Sequence, residues 1–383
     1  MDISGLRICT KCIYDEKVSG IIFDEKGVCN YCKMIDDLKS QYQTATPEGE
    51  KKLQEIVNEI KKAGKGKKYD CIVGVSGGTD SSFLIVKAVE WGLRPLAVHY
   101  DNTWNTAIAT ENIQKILKKI NVDLYTHVVD NKESDDIFKS FFLANVPEID
   151  GPTDIALSET MYRAASKFGV KYIIEGHSFM AEGVSPLANA YMDGGYIKNV
   201  HKEFGKLKMK TFPNMEFMTF MKWIMLKRIK KIRPFWYMDY SKQDARAFLE
   251  KEFDWQYYGG HHLENRMTAF NHSYYFPKKF GIDMRNNSLS ASVRVGLMTR
   301  EEAISEYSKE PYIEPELLDY FKKRLNFTEE EFDKIMKGPK KSYKDYKTYK
   351  QRFERLRPLF FILAKMSLVP MSFYIKYTSK SEV

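Results

Sequence analysis

The apolar and polar positions of this 383-residue chain change their period along its length. From residue 69 to about residue 175, short apolar runs alternate with longer stretches of helical spacing. Cys71-Ile72-Val73-Gly74-Val75 reads as a strand, residues 83–91 as the start of a helix, 94–101 as a second strand, 107–120 as a helix and 123–129 as a third strand. Helical spacing around residues 135–144 and 154–168 then leads to a fourth strand at 170–175. This alternation predicts an α/β fold: a parallel sheet with helices on both faces.

The flanks follow other patterns. Residues 33–68 are charged and mostly helical in spacing, ending in the flexible Ala63-Gly64-Lys65-Gly66-Lys67-Lys68. Residues 215–229 are strongly apolar with helical character, but they carry charges and are too short to span a bilayer comfortably. They read as a helix packed on the α/β domain, or as the contact of a homodimer. Pro234 ends that segment, and residues 239–244 open another helix. The last part is basic and aromatic, with residues 358–370 as its apolar stretch. Lys365 and Pro370 argue against a transmembrane helix there, which leaves packing onto the protein or an amphipathic segment in peripheral contact with a membrane. The expected divisions are 1–40 (a small ribbon or knuckle), 41–68 (helical linker), 69–200 (α/β core), 201–340 (helical substrate or partner region) and 341–383 (basic aromatic tail).

Composition changes this picture little. The formal charge of +9, from 60 Lys and Arg against 51 Asp and Glu, fits a solvated basic surface as well as phosphorylated ligands, nucleic acid or anionic lipid. Met1-Asp2-Ile3-Ser4 runs into a cysteine pair without an apolar stretch, so a cytoplasmic protein is expected. Four of the five cysteines form two Cys-x-x-Cys pairs, which in that compartment favour metal binding over disulfides.

Those pairs, Cys9-Thr10-Lys11-Cys12 and Cys29-Asn30-Tyr31-Cys32, can each sit on a tight turn, and two such turns supply the four-sulfur shell of a structural zinc. An iron–sulfur cluster or a redox dithiol is the alternative. Residues 20–27 between them read as a strand and turn. The fifth cysteine, Cys71, opens the first strand and is expected to pack as a small apolar side chain.

Ligands of parallel sheets bind beyond the carboxyl ends of the strands. Three stretches fall there: Ser76-Gly77-Gly78-Thr79-Asp80-Ser81-Ser82, His99-Tyr100-Asp101-Asn102 and Gly176-His177-Ser178. In the first, glycines let backbone amides approach an anion, the following helix adds a positive dipole end, and the hydroxyls add donors. Asp80 fits such a site only if a divalent cation bridges protein and phosphate, and Glu182 is a candidate second ligand for magnesium. The loop has neither the Gly-Lys-Ser/Thr ending of a Walker loop nor the spacing of a dinucleotide fingerprint. His99 and His177 can serve as general bases, although a structural histidine is the plainer reading of each.

The loop resembles the pyrophosphate (PP) loop of ATP pyrophosphatases, adenine nucleotide alpha hydrolase-like enzymes that split ATP into AMP and pyrophosphate. Three further stretches extend the resemblance: Gly259-Gly260-His261-His262-Leu263-Glu264-Asn265-Arg266, residues 276–285 and residues 294–303. With the cysteine pairs and the loop, they resemble the N-acetyl sugar amidotransferases of bacterial surface-polysaccharide biosynthesis, the WbpG-like family. That resemblance covers the chain from Cys9 to about Ala303. It implies ATP bound by Ser76 to Ser82, with His99, Tyr100 and Asp101 beside the adenosine and Gly176 and His177 closing the pocket. It implies Asp80 as the catalytic metal ligand, with ATP, magnesium and zinc as cofactors. It also implies conversion of the acetamido group of a nucleotide-linked sugar to an acetamidino group in lipopolysaccharide O-antigen biosynthesis. Lys278, Lys279, Arg285 and Arg294 offer cations for the triphosphate or for the nucleotide sugar.

No cysteine sits in a recognisable glutaminase elbow, so ammonia is expected from partners, by resemblance a glutaminase and a cyclase-like subunit similar to the pair used in histidine biosynthesis. The alternative is a tRNA-thiolation-type PP-loop enzyme. Those enzymes generally need further cysteines near the nucleotide to carry sulfur or a cluster, and none follows Cys71. Nucleic acid is therefore not expected as a partner.

Overall fold

A computed structural model describes residues 5–184, 191–259 and 263–379. Its centre is a five-stranded, wholly parallel sheet in the order β3-β2-β1-β4-β5. The strands are β1 (Cys71–Gly74), β2 (Pro95–Asp101), β3 (Leu124–Val128), β4 (Tyr172–Ile174) and β5 (Lys230–Ile232). Val73 lies between Ala97 and Ile174, so β1 is the middle strand and its carboxyl end is where the connections diverge to either side. The first four strands match the sequence pattern. The fifth carries only Lys-Lys-Ile, too short and too charged to register as a strand, and forms by adding to the edge of β4.

The pleat sends alternate residues of each strand into two apolar layers. Cys71, Val73, Ala97, Tyr172 and Ile174 face one layer, formed by α2 (Pro47–Ala63), α3 (Thr79–Glu90), α4 (Ala107–Ile120) and the Lys242–Phe253 helix. Ile72, Leu96, Val98 and Ile173 face the other, which holds α6 (Gly151–Lys167), the Phe217–Leu226 segment and the last helices of the chain. Residues on both faces of β1 are fully buried, which is why the strand reads as a continuous apolar run. Each large side chain so buried contributes about 1.5–3 kcal/mol.

A third apolar core lies beyond β2 and joins α5 (Asn131–Leu143) to the carboxyl-terminal helices. It is mainly aromatic: Phe270 stacks on Phe321 at 3.6 Å between ring centroids, and Phe142 packs against Tyr275, Phe321 and Phe332. The mostly helical carboxyl-terminal region is therefore built onto the sheet domain through this shared core. The 215–229 segment is helical as its pattern predicts, but it passes from α-helix at Phe217–Met221 to a π-helical turn at Lys222–Leu226 before entering β5.

Glu148 is enclosed beside this core. One carboxylate oxygen accepts from the Tyr196 hydroxyl at 3.3 Å, and Oε1 has no hydrogen-bond partner among the described residues. Burial pushes its carboxyl up to about 8. The folded chain then holds a proton that the unfolded chain releases near 4.5, so the stability from this group is present at low pH and declines as pH rises from 4.5 to about 8. Glu148→Gln should flatten that part of the profile in urea unfolding followed across this range; an unaltered slope would show that Glu148 ionises as freely in the fold as outside it.

Candidate active site

The Ser76–Ser82 loop joins the end of β1 to α3, and contacts from distant parts of the chain fix its shape. Gly77 has φ of +82°, and a Cβ there would lie 2.2 Å from the Ala109 carbonyl oxygen, so only glycine fits. The Gly77 carbonyl accepts from the Trp255 indole at 3.1 Å and from Asn112 at 3.4 Å. A Cβ on Gly78 would point among the Glu264 carboxylate, the Tyr258 hydroxyl and Ser76 Oγ, 3.0–3.2 Å away. This is a polar cradle one residue before α3. Ser81 Oγ accepts from the Ser76 amide at 3.2 Å, and Ser76 Oγ accepts from the Gly78 amide at 3.3 Å. Among the described residues no side chain caps the start of α3 at Gly78, which leaves that positive dipole end for an anion.

Asp80, in the first turn of α3, is engaged on both oxygens. Oδ1 accepts from the Tyr240 hydroxyl, and Oδ2 lies 2.6 Å from the Lys242 ammonium. Burial alone would pull the Lys242 ammonium down, but Asp80, Glu182 and Glu264 outweigh it and hold the group above the ordinary lysine range. Three carboxylates thus converge on one cation beside the loop. Burial, and then Asp80, push the Tyr240 phenol up, so it remains a donor.

Lys242, Tyr240 and Glu264 received no role in the sequence pattern. Lys242 falls there within residues 239–244, which open a helix, and Glu264 is one member of a longer motif. The family-like stretch around Glu264 was the available signal. Its flanking residues 260–262, with His261 and His262, lie outside the described residues.

The second strand end supports the loop more than it faces it. His99 donates through Nδ1 to the Val75 carbonyl at 2.8 Å, and its Nε2 accepts from Asn105 at 3.2 Å. With both nitrogens so used, His99 is a prop under the loop. Tyr100 is buried and stacked on His127, and Asp101 accepts from the Thr103 amide at 2.7 Å. Residues 264–266 dock on this strand end: the Thr106 amide donates to Glu264, the Arg266 amide donates to Trp104, and Asn265 Nδ2 reaches Asn102 and Asn105.

At the third strand end, the Cβ position of Gly176 is 3.1 Å from the Asp80 carbonyl oxygen. His177 Nδ1 accepts from the Trp236 indole at 3.2 Å, and its Nε2 is 3.7 Å from Glu182. The short β5 steadies this end through Glu175, which pairs with Lys231 at 2.7 Å and Arg233 at 3.1 Å. Burial pushes the Glu175 carboxyl up, but these two cations outweigh it and hold it at about 2.

A cavity of about 640 Å³ opens beside the first turn of α3, lined by Thr79, Tyr240, Lys242, Arg246, Tyr258 and Arg294 among others. Of the four cations expected at the substrate, only Arg294 lines it. Its Nε is 3.3 Å from Cys32 Sγ, its guanidinium lies over the Tyr14 ring, and its two Nη atoms are buried without hydrogen-bond partners among the described residues. The structure carries the other three elsewhere. Lys278 is exposed beside Glu310. Lys279 is held by Asn145 and the Ile335 carbonyl, and burial pulls its ammonium down to about 8. Arg285 is paired with Asp283 and the Lys309 carbonyl.

The four paired cysteines converge. Their Sγ atoms lie within 4.8 Å of one another, with Cys9–Cys32 and Cys12–Cys29 both at 3.9 Å. A Zn–S bond of about 2.3 Å in a tetrahedron sets sulfurs about 3.8 Å apart. The group can therefore hold a single metal ion, and the larger cage of an iron–sulfur cluster would require wider spacing. Backbone amides of Lys11, Tyr14, Cys29 and Cys32 donate to these sulfurs. The segment is fastened to the carboxyl-terminal region: Arg300 Nε donates to the Cys9 carbonyl at 2.9 Å, and Ile13 packs with Ala303 and Tyr307. Cys71 is fully buried in β1, and burial pushes its thiol up.

Residues 264–358 match the family described as LPS biosynthesis protein WbpG-like, C-terminal domain. An uncharacterized protein of Methanocaldococcus jannaschii is 23% identical over 319 residues, covering 82% of this chain and 98% of its own length. Among solved structures, NMN synthetase from Francisella tularensis has a TM-score of 0.32 at 14% identity, covering 72% of this chain and 92% of its own. The NH3-dependent NAD synthetase from Campylobacter jejuni has a TM-score of 0.31 at 12% identity, covering 76% and 97%. A U34-tRNA thiolase from Methanococcus maripaludis has 0.31 at 12%, covering 84% and 99%. Residues 264–358 are thus similar to a WbpG-like C-terminal domain, and they follow a parallel α/β core.

Proposed function

We propose that this protein is an ATP-dependent amidotransferase that converts the acetamido group of a nucleotide-linked sugar to an acetamidino group in bacterial surface-polysaccharide biosynthesis. The observation that carries the reading is the seating of Glu264, Asn265 and Arg266, where the WbpG-like region begins, against the Ser76–Ser82 loop and the end of β2. The phosphate loop and the family-specific region then form one site.

An amide is a poor electrophile, and ammonia does not displace its oxygen unaided. The acetamido oxygen attacks the α-phosphorus of ATP, the bond to the bridging oxygen breaks, and pyrophosphate leaves. Ammonia adds to the carbon of the adenylated imidate, and AMP departs with the former amide oxygen. Loop amides, the Ser76, Thr79, Ser81 and Ser82 hydroxyls and the uncapped start of α3 hold the departing pyrophosphate. Lys242 brings a positive charge to the same turn. Asp80 and Glu182 are the residues that would hold magnesium, Asp80 exchanging its contacts with Tyr240 and Lys242 for the ion, which would neutralise charge on the leaving group. The 640 Å³ cavity beside Thr79 receives the sugar, with Arg246 and Arg294 on its wall.

Zinc on Cys9, Cys12, Cys29 and Cys32 is structural in this reading, because four thiolates leave no coordination position for substrate. A partner glutaminase with a cyclase-like subunit delivers ammonia. Sulfur transfer is disfavoured, since the one cysteine outside that shell is fully buried in β1.

Purified protein with ATP, magnesium, ammonium and a nucleotide-linked N-acetyl sugar should release AMP and pyrophosphate in equal amounts; ADP and phosphate would contradict the reading. Asp80→Ala should lower turnover by at least about 100-fold, with its circular dichroism unchanged. Retained turnover would remove Asp80 from the mechanism. Elemental analysis should find one zinc per chain. Iron with visible charge-transfer absorption would contradict a zinc shell.

A further inference from the structure

Two stretches far apart in sequence, residues 217–229 and 355–379, contain lysines and arginines but no aspartate or glutamate. They pack together: Phe220 meets Phe373 at 5.1 Å and Phe360 at 6.5 Å between ring centroids. Their inward faces belong to the apolar layer over the sheet, with Trp223, Ile224, Phe360 and Leu363 buried. Their outward side chains are unusual for a surface in water. Seven of the fifteen exposed large apolar side chains among the described residues lie on these two stretches, including Leu226 at 78%, Met218 at 73% and Ile362 at 55% exposed. Between them stand exposed cations: Lys222, Lys227, Arg228, Arg357 and Lys365. Arg357 lies over the Tyr374 ring and Lys365 over the Phe361 ring, so the charges sit on the aromatic surface itself.

We propose that these two stretches dock the protein peripherally on an anionic lipid surface. Exposed apolar side chains interleaved with cations, and with no acidic residue among them, complement a bilayer interface carrying negative headgroups. A second copy of the chain is a poorer occupant, because two faces bearing only positive charge repel. No helix among the described residues is long and apolar enough to cross a membrane, so the contact is interfacial. It rests on a surface separate from the loop and needs no assumption about the reaction.

The test is flotation of the full chain with phosphatidylcholine vesicles prepared with and without phosphatidylglycerol. Binding should require phosphatidylglycerol and weaken with added salt. Lys227→Gln and Arg228→Gln should each weaken it about fivefold. The triple variant Leu226→Ser, Phe361→Ser, Ile362→Ser should abolish flotation while circular dichroism and melting temperature stay near those of the parent. Absence of binding to the anionic vesicles would overturn the proposal, as would a folded triple variant that floats like the parent. So would a parent dimer that the triple variant converts to monomer without any lipid dependence, since the occupant would then be a second copy.

Discussion

Gly77 sets the constraint on which the loop depends. Its positive φ turns the chain out of β1, its missing side chain lets the loop lie against the Ala109 carbonyl, and its own carbonyl is tied to Trp255 and Asn112. Neither partner is near it in sequence. A turn after an apolar strand takes this fixed shape only when α4 and the segment after the Lys242–Phe253 helix close around it. The same packing brings Tyr240 and Lys242 onto Asp80, so loop geometry and local charge are set by one set of contacts.

This explains which parts of the site can be read from sequence. The loop, the first four strands and the cysteine pairs are local patterns, and each is visible in a window of a few residues. Lys242 is 162 positions from Asp80, and Glu264 is 188 from Ser76, so no window contains either pair. The cationic pattern around residues 276–294 was visible, yet it does not reveal direction. Lys279 and Arg285 turn to carbonyls and a carboxylate in their own region, while Arg294 turns to the cysteine segment and the cavity wall. β5 escapes notice because its pairing with β4 comes from tertiary context.

The amino-terminal cysteine segment and the WbpG-like region are also mutually dependent. Tyr14 donates to the Val184 carbonyl and contacts Asn287, Arg300 holds the Cys9 carbonyl, and Arg294 touches Cys32. Asn287 in turn donates to the Glu182 carbonyl. In the proposed reading, a metal at the four cysteines steadies the wall of the cavity and the backbone beside a candidate magnesium ligand, at a distance from the reacting atoms.

The central claim is that ATP activates an amide oxygen on the sugar. It is tested most directly by following that oxygen. With the acetamido carbonyl labelled with oxygen-18, the account predicts that the label appears in AMP, one atom for each acetamidino group formed. Label in inorganic phosphate or pyrophosphate, or amidine formation without label in AMP, would contradict it.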